Sequence, residues 1–484
     1  MKTKIFKYLF FATIVSLIAI AIYMIYINKQ SSKTNLQPKK ADNVLSNNIT
    51  IGIVNFDSLN PHISINQDVQ YLSKLIYKDL IGLTKDFKLE ASLAKEWSRI
   101  GKKVYIVKLK EDIVWSNGEK FTADDVEFTI NELKKESSKS IYKDNVKNIE
   151  RIEKIDNLTV KIYLYEEEEF FEYNLCMPIL CSKIESTKEI IGNGDYKIVD
   201  INEKYILLQK FENNKSPKKI KIVLYNNYSD LYSDFSKKKI DVITTYNINF
   251  DNYVGTIGIE EKKIVGRNII YIRMNKENKK MQDTNLRKTI KNIINKDEII
   301  YNVYKNKYIK ADFALNYGSY LNYKKNTEDS YIKQYNLKFN LDIKDNDEEQ
   351  KNVAEEIKKQ LSKLGITLNV IENSENVYNK KLENKDYEMI ICKDRLSITP
   401  TITQYVNTEN TEIYKMLENI KNIDNTEILK REYNKIIEMS EKENNIIYIA
   451  FDSIIILHNS NVKGDFSGNW YNILYNVDTW YKEL

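Results

Sequence analysis

The sequence predicts an α/β protein. Short runs rich in Ile and Val recur from residue 49 to the carboxyl end, each bounded by polar or turn-forming residues. Longer stretches between them carry apolar side chains at helical spacing, several with capping residues at their ends. No short repeat is present, so strands and helices mix throughout one architecture.

The elements follow in chain order. Lys2, Lys4 and Lys7 precede Tyr8–Ile27, which is 20 residues without a charge. At about 1.5 Å per residue that run matches a hydrocarbon core about 30 Å thick. Tyr23 and Tyr26 sit where amphipathic rings favour the interface. A secretory apolar region is shorter, about 7–15 residues, and ends in a small-residue cleavage site. Residues 22–27 offer none, and the first cysteine, Cys176, is too distant for amino-terminal lipidation. The expectation is an uncleaved signal anchor over residues 1–30, with a cleaved signal peptide as the other reading. Residues 31–48 read as a polar linker.

Ile49–Val54 reads as a strand and Ser58–Pro61 as the turn that ends it. Asp68–Tyr77 has helical period. Val104–Leu109 and Leu158–Tyr163 read as strands. Thr122 caps a helix that runs to about Lys135, with Asp125 three residues later. Leu286–Tyr304 is predicted as one helix, and Glu348–Leu364 as another closed by Gly365. Ile366–Ile371 is predicted as a strand, Glu427–Asn444 as a helix and Ile446–Leu457 as a long apolar strand.

Composition narrows the function. Lys+Arg number 74 and Asp+Glu 69, a net charge of +5. Four positives lie in the first 30 residues, so the remainder is nearly neutral (5 − 4 = +1). That balance argues against a nucleic-acid binder, which needs a concentrated basic face. Three cysteines exclude a disulfide scaffold, and two histidines leave little for a His-rich metal centre. Cys176 and Cys181 are close enough in sequence to pair, and the reading leaves a disulfide and two free thiols both open. His62 and His458 read as structural histidines, Glu166–Glu169 as a solvated charge run, and Trp470 and Trp480 as packing residues. No G-x-S-x-G, H-E-x-x-H or phosphate loop occurs. The chain is read as no enzyme, and no cofactor is implied.

Residues 115–126, WSNGEKFTADDV, read physically as a strand end, an Asn-Gly turn and a capped helix. As a string they resemble the W-S-D-G-x-P-F-T-A-D-D-V segment of extracellular solute-binding protein family 5. These are the oligopeptide- and dipeptide-binding proteins of ABC transporters. Asn117 and Lys120 depart from that pattern. Other segments resemble the family in the right order: residues 57–62, 77–83 and 89–97, then 191–196 (IGNGDY), 283–290 (DTNLRKTI) and 295–300. The resemblance covers residues 49–484.

The resemblance implies a periplasmic-binding-protein-like fold of class II, with two lobes closing on a solute and an extra domain. Lobe I would take about 49–62, 189–266 and 456–484. The extra domain would take about 63–188, and lobe II about 267–455. It implies a peptide ligand, presentation to an ABC permease and ATP hydrolysis by a separate ATPase subunit. With the anchor at residues 8–27 in the cytoplasmic membrane, the bulk of the chain would be extracellular. A tethered sensor or structural ectodomain without import is the alternative. Residues 388–394 (EMIICKD) resemble the family segment whose aspartate pairs with a peptide's α-amino group. Asp394 matches that aspartate and is the candidate ligand residue. Ile391 stands where an aromatic is usual, and Arg395 follows directly, placed to neutralise Asp394.

Overall fold

The computed structural model describes residues 45–183, 190–211, 218–255, 257–321, 323, 335–421, 423 and 425–483. The expected anchor at residues 8–27 lies outside them. Among the described residues no helix is long and apolar enough to cross a membrane.

Asn47–Lys482 form one compact unit. Its largest sheet has 11 strands among the described residues. Ten form a continuous path: β1 (Ile49–Val54), β2 (Tyr196–Ile201), β3 (Tyr205–Lys210), β4 (Lys219–Tyr225), β5 (Val242–Thr245), β6 (Ile259–Met274), β7 (Leu337–Lys344), β8 (Ile366–Asn373), β9 (Met389–Arg395) and β10 (Ile446–Asn459). Their order across the sheet is β8-β7-β9-β6-β10-β5-β1-β4-β3-β2. Parallel pairs (β1 with β4 and β5, β7 with β8 and β9) combine with antiparallel ones, so the sheet is mixed. A separate four-stranded antiparallel sheet spans Ala94–Leu164.

Two long strands organise the whole. β6 has 16 residues and β10 has 14, and every residue of β10 is buried. They pair antiparallel, but the register shifts between Val265 and Ile269. Such a bulge bends a strand and increases its twist. The buried clusters change at the same point. Ile264, Ile454 and Ile456 belong to a core shared with Ile49, Tyr71, Trp115 and Ile206. Beyond the bulge, Ile272 and Ile447 join Leu341, Val353 and Ile391 on one face of the sheet. Tyr271 and Tyr448 join Phe313, Cys392 and Tyr433 on the other. Period-2 alternation of side chains places neighbouring residues in different cores.

Most local expectations match. Helices form at Gln67–Ile76, Ala123–Lys134, Glu348–Ser362 and Thr426–Glu441. Gly365 sits at φ +72°, the left-handed geometry of a helix stop. The predicted single helix Leu286–Tyr304 is instead two, Thr284–Ile293 and Lys296–Asn302. Ile294 is extended, and Asn295 caps the second helix by accepting from the Asp297 and Glu298 amides. The Asn295 N–H donates to Gln360, which fixes the break.

The segment 115–126 is a structural junction. The buried Asp125 carboxylate accepts from Trp115 Nε1, the Thr122 amide, and the amide and hydroxyl of Ser182. Four donors on one carboxylate tie the strand end, the helix start and a distant loop together. Cys176, Cys181 and Cys392 are free and buried, which closes the question of a Cys176–Cys181 bond.

Candidate functional site

The bulge between β6 and β10 leaves three residues, Gly266, Arg267 and Asn268, out of the ladder with β10. Asp452 of β10 fills the gap. Its carboxylate accepts the Asn268 amide at 2.9 Å and the Asn268 side-chain amide. A Cβ on Gly266 would lie 2.0 Å from Asp452 Oδ1, so the close approach requires glycine. Burial raises the Asp452 pKa above the ordinary carboxylate value.

Arg267 is thereby turned outward and then fixed. Its Nε donates to Leu396 O at 3.0 Å, while Leu396 N donates back to Arg267 O at 2.7 Å. Its guanidinium lies 4.4 Å from the centroid of the Trp470 ring, a cation–π contact. Trp470 is held in turn by its Nε1 donating to Asn316 at 2.8 Å. Burial, and then the like charge of Arg395, lower the Arg267 pKa to about 10. Arg395 is exposed, at the end of β9 opposite Asn268, and its guanidinium pairs with no described residue.

These groups line a chamber of about 270 Å³ with Gln67, Tyr71, Tyr246, Gly266, Asn268, Asp452 and Trp470. Tyr71 and Tyr246 share a hydrogen bond between hydroxyls at 2.9 Å. The chamber therefore has hydroxyls and amides, one hydrogen-bonded carboxylate and two guanidiniums. A more open recess of about 500 Å³ shares Tyr246 and adds Tyr228, Tyr232 and Tyr253. Tyr232 and Tyr253 stack with centroids 5.9 Å apart.

The three sequence-predicted site residues part company. Arg395 lines the chamber. Ile391 does not: its side chain is fully buried in a core shared with Ile272 and Met389. An apolar core position follows from strand alternation, where the family motif suggested a cleft aromatic. Asp394 is half-buried and faces the opposite side of β9 from Arg395. Tyr271 and Tyr405 hydroxyls both donate to Asp394 Oδ2, each at 2.9 Å. Arg395 therefore does not neutralise it; two tyrosines hold it instead. Arg267, Asp452 and Tyr246 escaped the sequence reading. The β6–β10 pairing brings Arg267 and Asp452 together, with Asn268 and Asp452 184 residues apart, and the pairing of β5 with β10 brings in Tyr246 just beyond β5.

The histidines are structural. His62 Nε2 lies 2.8 Å from Pro178 O, and burial lowers its pKa to about 4, so the ring is neutral. His458 stacks on Phe466 at 4.0 Å. Among the described residues, no group of three or more His, Cys, Asp or Glu side chains is placed to hold a metal ion.

Comparison with known proteins defines the class first. The MppA periplasmic murein tripeptide binding protein, in an unliganded open form, superposes with a TM-score of 0.79. The match covers 90% of this chain and 97% of that one at 15% identity. A nickel ABC transporter structure from Bacillus halodurans gives a TM-score of 0.75, covering 88% and 98% at 14% identity. The fold is thus the mixed α/β fold of solute-binding proteins. The family follows from sequence: the model for bacterial extracellular solute-binding proteins, family 5, middle region, matches residues 88–408. The chain belongs to that family, whose members bind solutes and are not enzymes. Among curated relatives, the glutathione-binding protein GsiB of Pectobacterium atrosepticum is 29% identical over 167 residues, 32% of each chain. GsiB of Escherichia coli K12 is 30% identical over 168 residues, 32% of this chain and 33% of its own. The matched region spans about a third of the length of these relatives.

Proposed function

We propose that the chain is the extracytoplasmic substrate-binding component of an ABC importer and captures short peptides at the β6–β10 crossing. The observation that carries this reading is the chamber at the bulge. Polar groups converge on it from both sides of the point where the buried cores change. Such a place suits a hinge, since a bulge absorbs backbone rotation while the cores on each side move as bodies. Lobe I is then about 49–62, 189–266 and 456–484, lobe II about 267–455, and residues 63–188 form the extra domain beside lobe I. Closure removes water from the chamber and strengthens each polar contact within it.

Asp394, the candidate for a peptide α-amino group, faces away from the chamber on the other side of β9, so it is an acceptor separate from the chamber groups that carry this reading. Its Oδ2 is fixed by two hydroxyl donors, whereas Oδ1 accepts from no described residue. A carboxylate so held is a preorganised acceptor for an ammonium. Residues 8–27 tether the protein to the cytoplasmic membrane, and permease and ATPase subunits complete the transporter. Relatives named for glutathione and for murein tripeptide favour short peptides over long ones as the solute class.

The test is native mass spectrometry of the full chain, purified gently in detergent and then denatured to release bound species. A ladder of short peptide masses is expected. A single non-peptide mass contradicts the peptide assignment, and an empty protein that no peptide pool stabilises contradicts capture altogether.

A further inference from the structure

We propose that the recess of four tyrosines, together with the Asp68 carboxylate, is a subsite for a cationic side chain, so that the peptides captured best are those bearing lysine or arginine. This deepens the reading above and rests on it. The sheet topology builds the site. β1 runs parallel to β4 and to β5, so the three carboxyl ends lie side by side. Solutes bind outside the carboxyl ends of parallel strands, where the connections diverge. The helix Gln67–Ile76 follows β1 and carries Asp68 in its first turn. Tyr228 opens the helix after β4, and Tyr246 follows β5 directly.

Three features converge on a cation. First, the rings are open but held. Tyr228, Tyr246 and Tyr253 are 49%, 46% and 62% exposed, so their faces are within reach of a solute. The buried Tyr232 shares a hydrogen bond with Thr245 Oγ1 at 2.8 Å, and the Tyr228 and Tyr253 rings each pack on it at 5.9 Å. The face of such a ring attracts a cation within about 6 Å. The recess, about 500 Å³, has the size of a ligand pocket.

Second, the carboxylate lacks a counter-ion. Asp68 Oδ1 accepts from the Thr244 hydroxyl at 2.8 Å, and no described lysine or arginine pairs with it. Its charge bears on Tyr71, Tyr228 and Tyr246 instead. Burial in these surroundings raises its pKa to about 6. A bound ammonium or guanidinium supplies the missing charge. The helix does not need Asp68 as its cap, since Asn66 accepts the Asp68 and Val69 amides. Third, Arg267 and Arg395 line the chamber, which shares Tyr246 with the recess. They repel a cation and leave the recess as its place.

The test uses the full-length protein in detergent and two pools of free peptides, two to five residues long. One pool contains lysine or arginine, and the other only uncharged side chains. Every peptide keeps its α-amino and carboxyl termini, so the difference between the pools reports the side chain. Binding is read by native mass spectrometry and thermal shift. The cationic pool is expected to bind about 10-fold more tightly. Asp68→Asn should weaken that pool about 10- to 100-fold and bring it level with the uncharged one. Tyr228→Leu should weaken it about 3- to 10-fold, and Tyr228→Phe, which keeps a ring, should lose less. The ligand-free midpoint of Asp68→Asn at pH 7 should hold or rise, because the variant removes an uncompensated charge. Equal binding of both pools to the native protein, or a preference that survives Asp68→Asn, overturns the subsite and leaves peptide capture intact. A ligand-free midpoint lowered by several degrees in Asp68→Asn overturns it too, because the carboxylate would then be structural. Failure of both pools to bind contradicts peptide capture and the subsite together.

Discussion

Two places in this molecule set a basic side chain against an aromatic ring, and they differ in what else surrounds it. Lys74 is buried. Its ammonium meets both oxygens of Asp79 at 2.8 and 2.9 Å and lies near the Tyr471 ring, whose hydroxyl is at 2.6 Å. The Tyr471 hydroxyl also lies within hydrogen-bond distance of Asp79 and of Cys176 O, either of which can accept its one proton. Every strong group there has a protein partner. At the β6–β10 crossing, Arg267 likewise rests on Trp470, yet Arg395 beside it pairs with no described residue. The closed cluster clamps the segment around residues 74–79 to the carboxyl-terminal segment. The open one has donors to spare. Unsatisfied donors, rather than charge itself, separate a binding site from a structural ion pair.

The largest effect that breaks the comparison is at the clamp. Asp79→Ala leaves Lys74 buried and unpaired and should cost about 3–5 kcal/mol in urea unfolding. Loss below about 1 kcal/mol would mean that the clamp is less closed than its geometry indicates. At the crossing, Gly266→Ala pushes a methyl group into Asp452 and should cost about 1–3 kcal/mol. Because Asp452 also positions Arg267 through the bulge, solute affinity should fall in this variant along with stability. Unchanged affinity would separate the bulge from the site.

A smaller effect is in the pH profile. His62 has a pKa lowered by burial from 6.5 to about 4. Between those values the unfolded chain holds more protons, so this stability is lost as pH falls from about 6.5 to about 4. Asp68, on the first helix near Tyr246, is shifted oppositely. Burial raises its pKa from 3.8 to about 6, against a hydrogen bond from Thr244. Its contribution weakens stability as pH rises through that window. The two slopes oppose each other in the native protein. His62→Gln should leave stability falling with pH between about 4 and 6, and Asp68→Asn should leave it rising. Each change should amount to about 1–2 kcal/mol, read from urea midpoints at several pH values. Parallel profiles for both variants and the native chain would refute these assignments.

How far the sequence reveals this structure depends on the range of the interaction. The helix Ala123–Lys134 is legible because Thr122 and Asp125 cap it locally. The break at Ile294–Asn295 had a local signal, an Asn followed by Asp297 and Glu298, but the continuing apolar period concealed it. The first half of β6 carries Glu260, Glu261, Lys262 and Lys263, so its polar character hid a strand that the pairing with β10 dictates. Ordered family motifs made the fold recognisable and pointed to β9. They placed Asp394, Arg395 and Ile391 together as neighbours in sequence, whereas strand alternation sends them to different surroundings. Arg267 and Asp452 carry no motif at all. Their role exists only once the two long strands pair out of register.

Hydrogen–deuterium exchange of the full-length protein, with and without a pool of short peptides, tests the central claim most directly. The account predicts protection concentrated at residues 266–268, at 395–396 and around Tyr71 and Tyr246, with the Lys74–Asp79 clamp unchanged. Protection centred on the clamp, or spread away from the β6–β10 crossing, would contradict it.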